Sequence, residues 1–319
     1  RMRQVWDAPV RGRPTVALVQ PNVTVAEKTA KNPQARAEVY KRTVAMTEKA
    51  LQLRPQLVVW PEGGFPFPFE INALDLPRTK DDTYGRVLSR KLYALAARMP
   101  VDFVAGSLRR VGDRIRNGAL FFPRGELTAS TYDKRLLLMF GERLPFGDMF
   151  PALAELVPNM AHHEAGSRFE VFEAGGFNIV PSICYEAIQP HFTRESLEAT
   201  DGDVILNLTN DVWFGGGGPS EQHLMVQTQR AIENRVWLIR STNSGISAFV
   251  DPTGTIRSRT ADDEETILAL EVPIPALGKS FYRRFGDVVF IAGCLLGIGF
   301  LVGRNRRALL ELLRRRSVR

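Results

Sequence analysis

The chain has 319 residues, 44% of them hydrophobic, which suits one large folded core with or without an appendage and argues against disorder. Its formal charge of +7 is not a nucleic-acid-binding face. Residues 304–319 hold seven arginines against one glutamate and leave about +1 for everything else.

In chain order, residues 1–13 are polar, carry Pro9 and Gly12, and read as a linker into a first strand at 15–20. Residues 32–53 predict a helix whose apolar face runs through Val39, Arg42/Thr43, Met46 and Ala50. The β-branched run 57–60 predicts a strand that ends on Pro61 and Glu62. A helix at 84–99, a strand at 102–108 and a hairpin-like stretch at 117–132 follow, then an apolar, proline-punctuated region at 136–160. Strands at 177–183 and 204–209, a helix at 221–235 and strands at 236–240 and 246–251 complete the pattern. Alternating strands and helices predict an α/β fold with helices covering sheet layers. The glycine run 215–218 predicts a mobile loop.

Three residues stand out by type and place. Glu62 and Cys184 directly follow short apolar strands, and Lys134 follows a weaker strand-like run, 127–132. Strand ends hold side chains rigidly while loops admit substrate. A carboxylate, an ammonium and a thiol brought together support acyl transfer through a thioester. The glutamate takes the thiol proton, the sulfur attacks a carbonyl, and the lysine stabilises the resulting oxyanion. Each has a structural alternative: a packed free cysteine, a surface glutamate, a surface lysine. Arg135 beside Lys134 reads as surface. His162, His163, Glu164, His191 and His223 match no metal-ligand spacing, and His223 reads as a hydrogen-bonding residue beside Gln222, so no metal is expected.

The stretches VALVQPNV (16–23), WPEG (60–63), YDKRLLLMFGERLPFG (132–147), ICYE (183–186), NLTNDVWFG (207–215) and RSTNSGISAFVDPTG (240–254) occur in one order along the chain. Together they resemble the nitrilase, or carbon–nitrogen hydrolase, superfamily, and within it the apolipoprotein N-acyltransferase branch. The resemblance implies a four-layer αββα nitrilase-like sandwich over 14–280 and a catalytic triad of Glu62, Lys134 and Cys184. It implies that Glu142 orients Lys134, that the backbone N–H of Tyr185 helps hold the oxyanion, and that Glu186 positions either the incoming amine or an active-site loop. The family usually has fewer glycines than 215–218 supplies, which puts loop length and closure there in question. The implied donor is a phospholipid and the acceptor the amine of a diacylglyceryl apolipoprotein, with no cofactor, in a monomer at the bacterial inner membrane. A disulfide between the only two cysteines, Cys184 and Cys294, would remove the nucleophile, so none is expected.

Residues 288–303 form an uncharged, mostly apolar run, and a helix of 285–303 with arginines on both sides reads as a transmembrane segment. Gly293, Gly297 and Gly299 are costly in a water-exposed helix and ordinary in a membrane one. The greater positive charge follows, so the tail at 304–319 is expected in the cytoplasm and the catalytic domain in the periplasm. The family carries membrane helices upstream, so a chain opening at Arg1 without a signal pattern reads as part of a longer protein. The apolar segments 65–69 and 136–140 could be core or a lid that dips into the membrane, and the proline-broken first segment just after Glu62 favours the lid. Phe146, Met149, Phe150, Leu153 and Leu156 could form an amphipathic arm to the same end. Two other readings stay open on the residues alone: a hydrolase acting on a soluble amide or nitrile, and a catalytically silent binding domain.

Overall fold

The computed structural model describes residues 8–30, 32–79, 82–144, 163–215 and 217–305. The chain divides into two units, residues 1–278 and 279–319.

The first unit is built on two six-stranded sheets. In the first, β2 (Thr15–Gln20), β3 (Leu57–Phe69), β4 (Asp102–Val111), β5 (Arg114–Phe122) and β6 (Ser130–Asp133) lie side by side, with β13 (Thr266–Glu271) against β2. The second runs β12 (Ile256–Arg259), β11 (Ala248–Val250), β10 (Trp237–Thr242), β9 (Val204–Thr209), β8 (Phe177–Ile183) and β7 (Phe172–Ala174). The central strands β2, β3 and β4 are parallel, as are β8, β9 and β10. A short antiparallel pair, β1 (Val10–Gly12) with β14 (Ile274–Pro275), stands apart.

The period-2 alternation of these strands explains the layering. Val16, Leu18, Leu57 and Val59 enter one core with Leu206, Leu208 and Ile239 of the other sheet, so the two sheets pack face to face. Their neighbours Ala17, Val19, Val58 and Trp60 point the opposite way and pack beneath helices α2 (Pro33–Leu51) and α3 (Tyr84–Arg98). On the far face, Ile205 and Leu238 meet Leu197 of α4 (Pro190–Ala199) and Leu224 and Ala231 of α5 (Gly218–Asn234). The result is the expected αββα sandwich, whose central strands read as continuous apolar runs because both faces are buried. Helix α2 shows the predicted register, with Val39, Thr43, Met46 and Ala50 buried, and Thr47 accepts a 2.7 Å hydrogen bond from Trp60 Nε1.

Three expectations are corrected here. Strand β3 does not end at Pro61 but runs to Phe69, and Phe65, Phe67 and Phe69 are buried core residues rather than a membrane lid. The alternation Phe-Pro-Phe-Pro-Phe puts all three rings on one face: Phe65 meets Tyr40 edge-on, Phe69 meets Phe122 edge-on and Tyr93 at a tilt, and Phe67 stacks on Tyr84. Arg135 is not a surface residue: it is half-buried, with its guanidinium 3.8 Å from the Phe169 ring centroid. Of the glycine run, Gly217 caps α5 and Gly218 opens it. The proposed arm through Phe146, Met149, Phe150, Leu153 and Leu156 lies outside the described residues, as does His162.

The second unit holds α6 (Phe281–Phe285) and α7 (Val288–Arg304). Every described residue of α7 is exposed, on all sides of an almost wholly apolar helix. At 17 residues it is about 26 Å long at 1.5 Å per residue, less than the roughly 30 Å hydrocarbon core. Among the described residues no helix is long and apolar enough to cross a membrane, so the expected 285–303 span is not met by length.

Candidate active site

Glu62 owes its place to an irregularity in β3. Trp60 pairs with Ala105 and Phe65 with Ser107, so five steps of β3 lie against two of β4. The extra residues bulge outward and carry the glutamate off the sheet. The bulge leans on Gly106 of β4: a Cβ there would lie 2.7 Å from Glu62 Cα and closer still to the Pro61 carbonyl oxygen. Gly106→Ala is therefore expected to cost about 1–3 kcal/mol of stability by overpacking. By displacing Glu62 it should also slow acylation of Cys184 by on the order of 10²-fold. Denaturant midpoints and adduct kinetics would check both; an unchanged acylation rate would show that the bulge does not position Glu62.

Lys134 follows β6 and is 2% exposed. Its Nζ lies 2.7 Å from Glu142 Oε2, whose carboxylate also accepts from the backbone N–H of Leu138 at 2.9 Å. One amide joins the two glutamates: Asn117 Nδ2 on β5 donates to Glu62 Oε1 at 2.7 Å and to Glu142 Oε1 at 2.9 Å. The Asn117 carbonyl also accepts from Lys134 N at 2.8 Å. Burial pushes the Glu142 carboxyl up, but His163, the Lys134 ammonium and the Leu138 N–H outweigh it and hold it near about 2. Burial lowers the Lys134 pKa, yet Glu62, Cys184 and Glu142 together keep it above its ordinary value, so the side chain is a fixed cation.

Cys184 opens a 3-10 turn directly after β8 with φ at 50°, in the left-handed region that a side chain rarely adopts. Burial and the Glu62 carboxylate push the thiol up to about 12, against the pull of Lys134 and a hydrogen bond with Thr209. At neutral pH the sulfur is a thiol and needs a base. Both Cys184 and Cys294 are free.

Glu186 is fully buried and faces neither solvent nor an open pocket. Its carboxylate accepts from Tyr132 OH at 2.8 Å, Arg135 N at 2.7 Å, Leu136 N at 3.1 Å and Ile183 N at 2.7 Å. It thus ties the turn carrying Cys184 to the turn carrying Lys134.

Sequence reasoning missed Asn117, an unremarkable asparagine in a strand. It also missed the buried group under the thiol, where Arg240 Nη2 meets Asp211 Oδ2 at 2.5 Å and His223 Nδ1 meets Asp211 Oδ1 at 2.9 Å. His223 Nε2 lies 3.0 Å from Gln227 Nε2, and this helix-internal contact fits the hydrogen-bonding role expected of it. Arg240 and Asp211 were visible in the quoted motifs, but only the fold shows that they pair.

The rim is apolar. Leu138, Met139 and Phe140, just past Lys134, are exposed, Phe140 by 71%, and so are Trp213 and Phe214 beyond β9.

Residues 15–279 match the carbon–nitrogen hydrolase family over most of the chain. The chain belongs to that family. It is 33% identical over 288 residues to an apolipoprotein N-acyltransferase of Geobacter metallireducens, covering 88% of this chain and 52% of that protein. It is 31% identical over 314 residues to the Bdellovibrio bacteriovorus enzyme of the same name, covering 93% and 56%. The chain thus spans about half the length of these curated relatives. Among solved structures, it resembles an amidase from Nesterenkonia sp. AN1 that carries the acetamide moiety of fluoroacetamide on its active-site cysteine. That match has a TM-score of 0.60 at 17% identity, over 83% of this chain and 92% of that one. A carbon–nitrogen hydrolase superfamily protein of Xanthomonas campestris gives 0.58 at 21% identity, over 82% and 90%. At these identities the structural matches speak to the fold alone.

Proposed function

We propose that this carbon–nitrogen hydrolase domain is the catalytic part of an N-acyltransferase that moves an acyl chain from a phospholipid to the amine of a diacylglyceryl apolipoprotein. The observation that carries this reading over a soluble amidase is the exposed apolar rim on the segment that follows Lys134, which suits an acyl chain and not a small polar amide. The names of the relatives support it.

In this reading Glu62 takes the Cys184 proton as Sγ attacks the ester carbonyl. Lys134 and the backbone N–H of Tyr185 hold the oxyanion. The ester C–O bond breaks, the proton passes from Glu62 to the departing glycerol oxygen, and a lysophospholipid leaves a thioester. The neutral acceptor amine then attacks that carbonyl and gives its proton to Glu62, which returns it to the departing thiolate as the amide forms. Glu142 and Asn117 hold the lysine and the base in register. The donor is already an ester, so no cofactor enters. Helix α7 is assigned to the membrane, because a helix apolar on every side is stable only when covered. Where the bilayer thins locally or the flanking arginines snorkel to extend its reach, α7 would cross, and the arginine-rich 304–319 would then face the cytoplasm and the catalytic unit the periplasm.

Intact-mass spectrometry after incubation with phosphatidylglycerol mixed micelles tests the reading. The expected result is a gain of one acyl chain, mapped by peptide analysis to Cys184. Absence of the adduct together with turnover of a simple amide would select the hydrolase instead.

A further inference from the structure

A second lysine faces the same centre. Lys28 lies on α1 (Val25–Thr29), a short helix after β2 fixed by a capping box between Thr24 and Glu27. The carboxylate beside it is already committed, because Glu27 pairs with Arg42 at 2.9 Å. The chain leading into α1 is fastened to Asn243. Asn22 N donates to the Asn243 carbonyl at 2.9 Å, Val23 N donates to Asn243 Oδ1 at 3.0 Å, and Asn243 Nδ2 donates back to the Val23 carbonyl at 2.9 Å. Asn243 Nδ2 also donates to Asn210 Oδ1 at 3.1 Å, three residues before Trp213. One buried amide therefore pins both the Lys28 and the Trp213 segments.

The outcome is a cation held against an aromatic ring, with Lys28 Nζ 4.8 Å from the Trp213 ring centroid. Among the described residues the ammonium has no carboxylate within ion-pair distance; burial and the Lys134 ammonium lower its pKa against the attraction of Glu62 and Glu142. Lys134 differs in having Glu142 at 2.7 Å. The site thus holds one satisfied cation at its base and one half-buried, unsatisfied cation beside a ring that is 58% exposed. A half-buried ammonium without an anion is costly and is relieved when an anionic ligand arrives.

We propose that Lys28 and Trp213 seat the phosphate of the acyl donor, the ammonium bonding a phosphate oxygen and the indole covering the adjoining glycerol. The proposal rests on the phospholipid reading above and adds to it the group that recognises the donor. In a glycerophospholipid the phosphate and the ester carbonyl sit on one glycerol, so a cation at the rim is suited to hold the first while Cys184 attacks the second. A lysine is a compact point charge that suits a single phosphodiester oxygen.

The test compares two donors with the same acyl esters, dihexanoylphosphatidylglycerol and dihexanoylglycerol, by the rate at which each acylates Cys184 in the 319-residue chain. Wild type should favour the phosphate donor. Lys28→Met should lose that preference by roughly ten- to a hundredfold while acylation by dihexanoylglycerol and alkylation by iodoacetamide stay as they were. Lys28→Arg should restore much of it. An equal fall on both donors would give Lys28 a role at the acyl centre or in the fold and overturn the proposal, as would no fall on either. Wild type without any preference, but slowed by inorganic phosphate through Lys28, would assign the seat to the free ion and overturn the headgroup reading. Wild type acylated by neither donor would defeat the acyltransferase reading itself, and this one with it.

Discussion

Glu62→Gln should slow acylation of Cys184 at neutral pH by about 10²- to 10⁴-fold, the usual contribution of a general base, while making the thiol itself more acidic. The two effects have opposite signs because the carboxylate plays two parts. After burial, it is the largest influence pushing the Cys184 thiol up to about 12. Removing its charge leaves burial and the Lys134 ammonium in place, so the thiol titrates below about 12. The thiolate thus becomes easier to form even as the ester reaction loses the group that, in the proposed mechanism, accepts and returns the proton. Glutamine preserves the volume, and its carbonyl can still accept from Asn117 Nδ2, now 2.7 Å from Glu62 Oε1, so the fold should hold. Two rates settle the matter: acyl-adduct formation at fixed pH, and iodoacetamide alkylation as pH rises. The assignment of Glu62 as the base fails if acylation is unchanged, or if the alkylation midpoint moves upward.

The two-sheet scaffold was legible in sequence because central strands buried on both faces leave continuous apolar runs, and 15–20, 177–183 and 204–209 coincide with β2, β8 and β9. The end of β3 was misread for a physical reason. Pro61, Gly63 and Gly64 are ordinary strand terminators, but here they fill a bulge where ladder hydrogen bonds are already interrupted. The period-2 spacing of Phe65, Phe67 and Phe69 was the signal that the strand resumes. Strand β13 went unseen because it lies at a sheet edge with its residues only partly buried. The motifs pointed to Glu62, Lys134, Cys184, Glu142 and Glu186, each beside a strand end or a tight turn. Asn117 had no such mark. An asparagine becomes informative only when β5 brings it between two carboxylates that are 80 residues apart in sequence. Lys28 was equally silent, one lysine in a polar helix until the fold sets it against Trp213.

Lys134→Met should be costly twice over, to activity and to the fold, and pH separates the two costs. Acylation should fall by on the order of 10²- to 10³-fold, since in the proposed mechanism the buried cation is the main fixed charge facing the oxyanion. The stability effect runs through Glu142, whose carboxyl is held near about 2 rather than the ordinary 4.5. A depressed acid favours the folded state above its unfolded value, here by about 3 kcal/mol, and that contribution disappears as pH falls from about 4.5 toward about 2. With methionine in place of Lys134, burial continues to raise the Glu142 pKa while the ammonium 2.7 Å away is gone. The folded-state value climbs back toward the unfolded one, with His163 and the Leu138 N–H still lowering it, and the variant should be about 3–5 kcal/mol less stable at pH 7 because a buried carboxylate is left without its cation. On acidification the wild type should weaken between about pH 4.5 and pH 2, and the variant should weaken less over the same range, because less of the Glu142 depression is left to be lost. Urea midpoints of both proteins at pH 7, 5 and 3.5 would trace the two curves. If they run parallel, the Lys134–Glu142 pair does not supply the coupling, and the position of the lysine depends on Asn117 and the β6 turn alone.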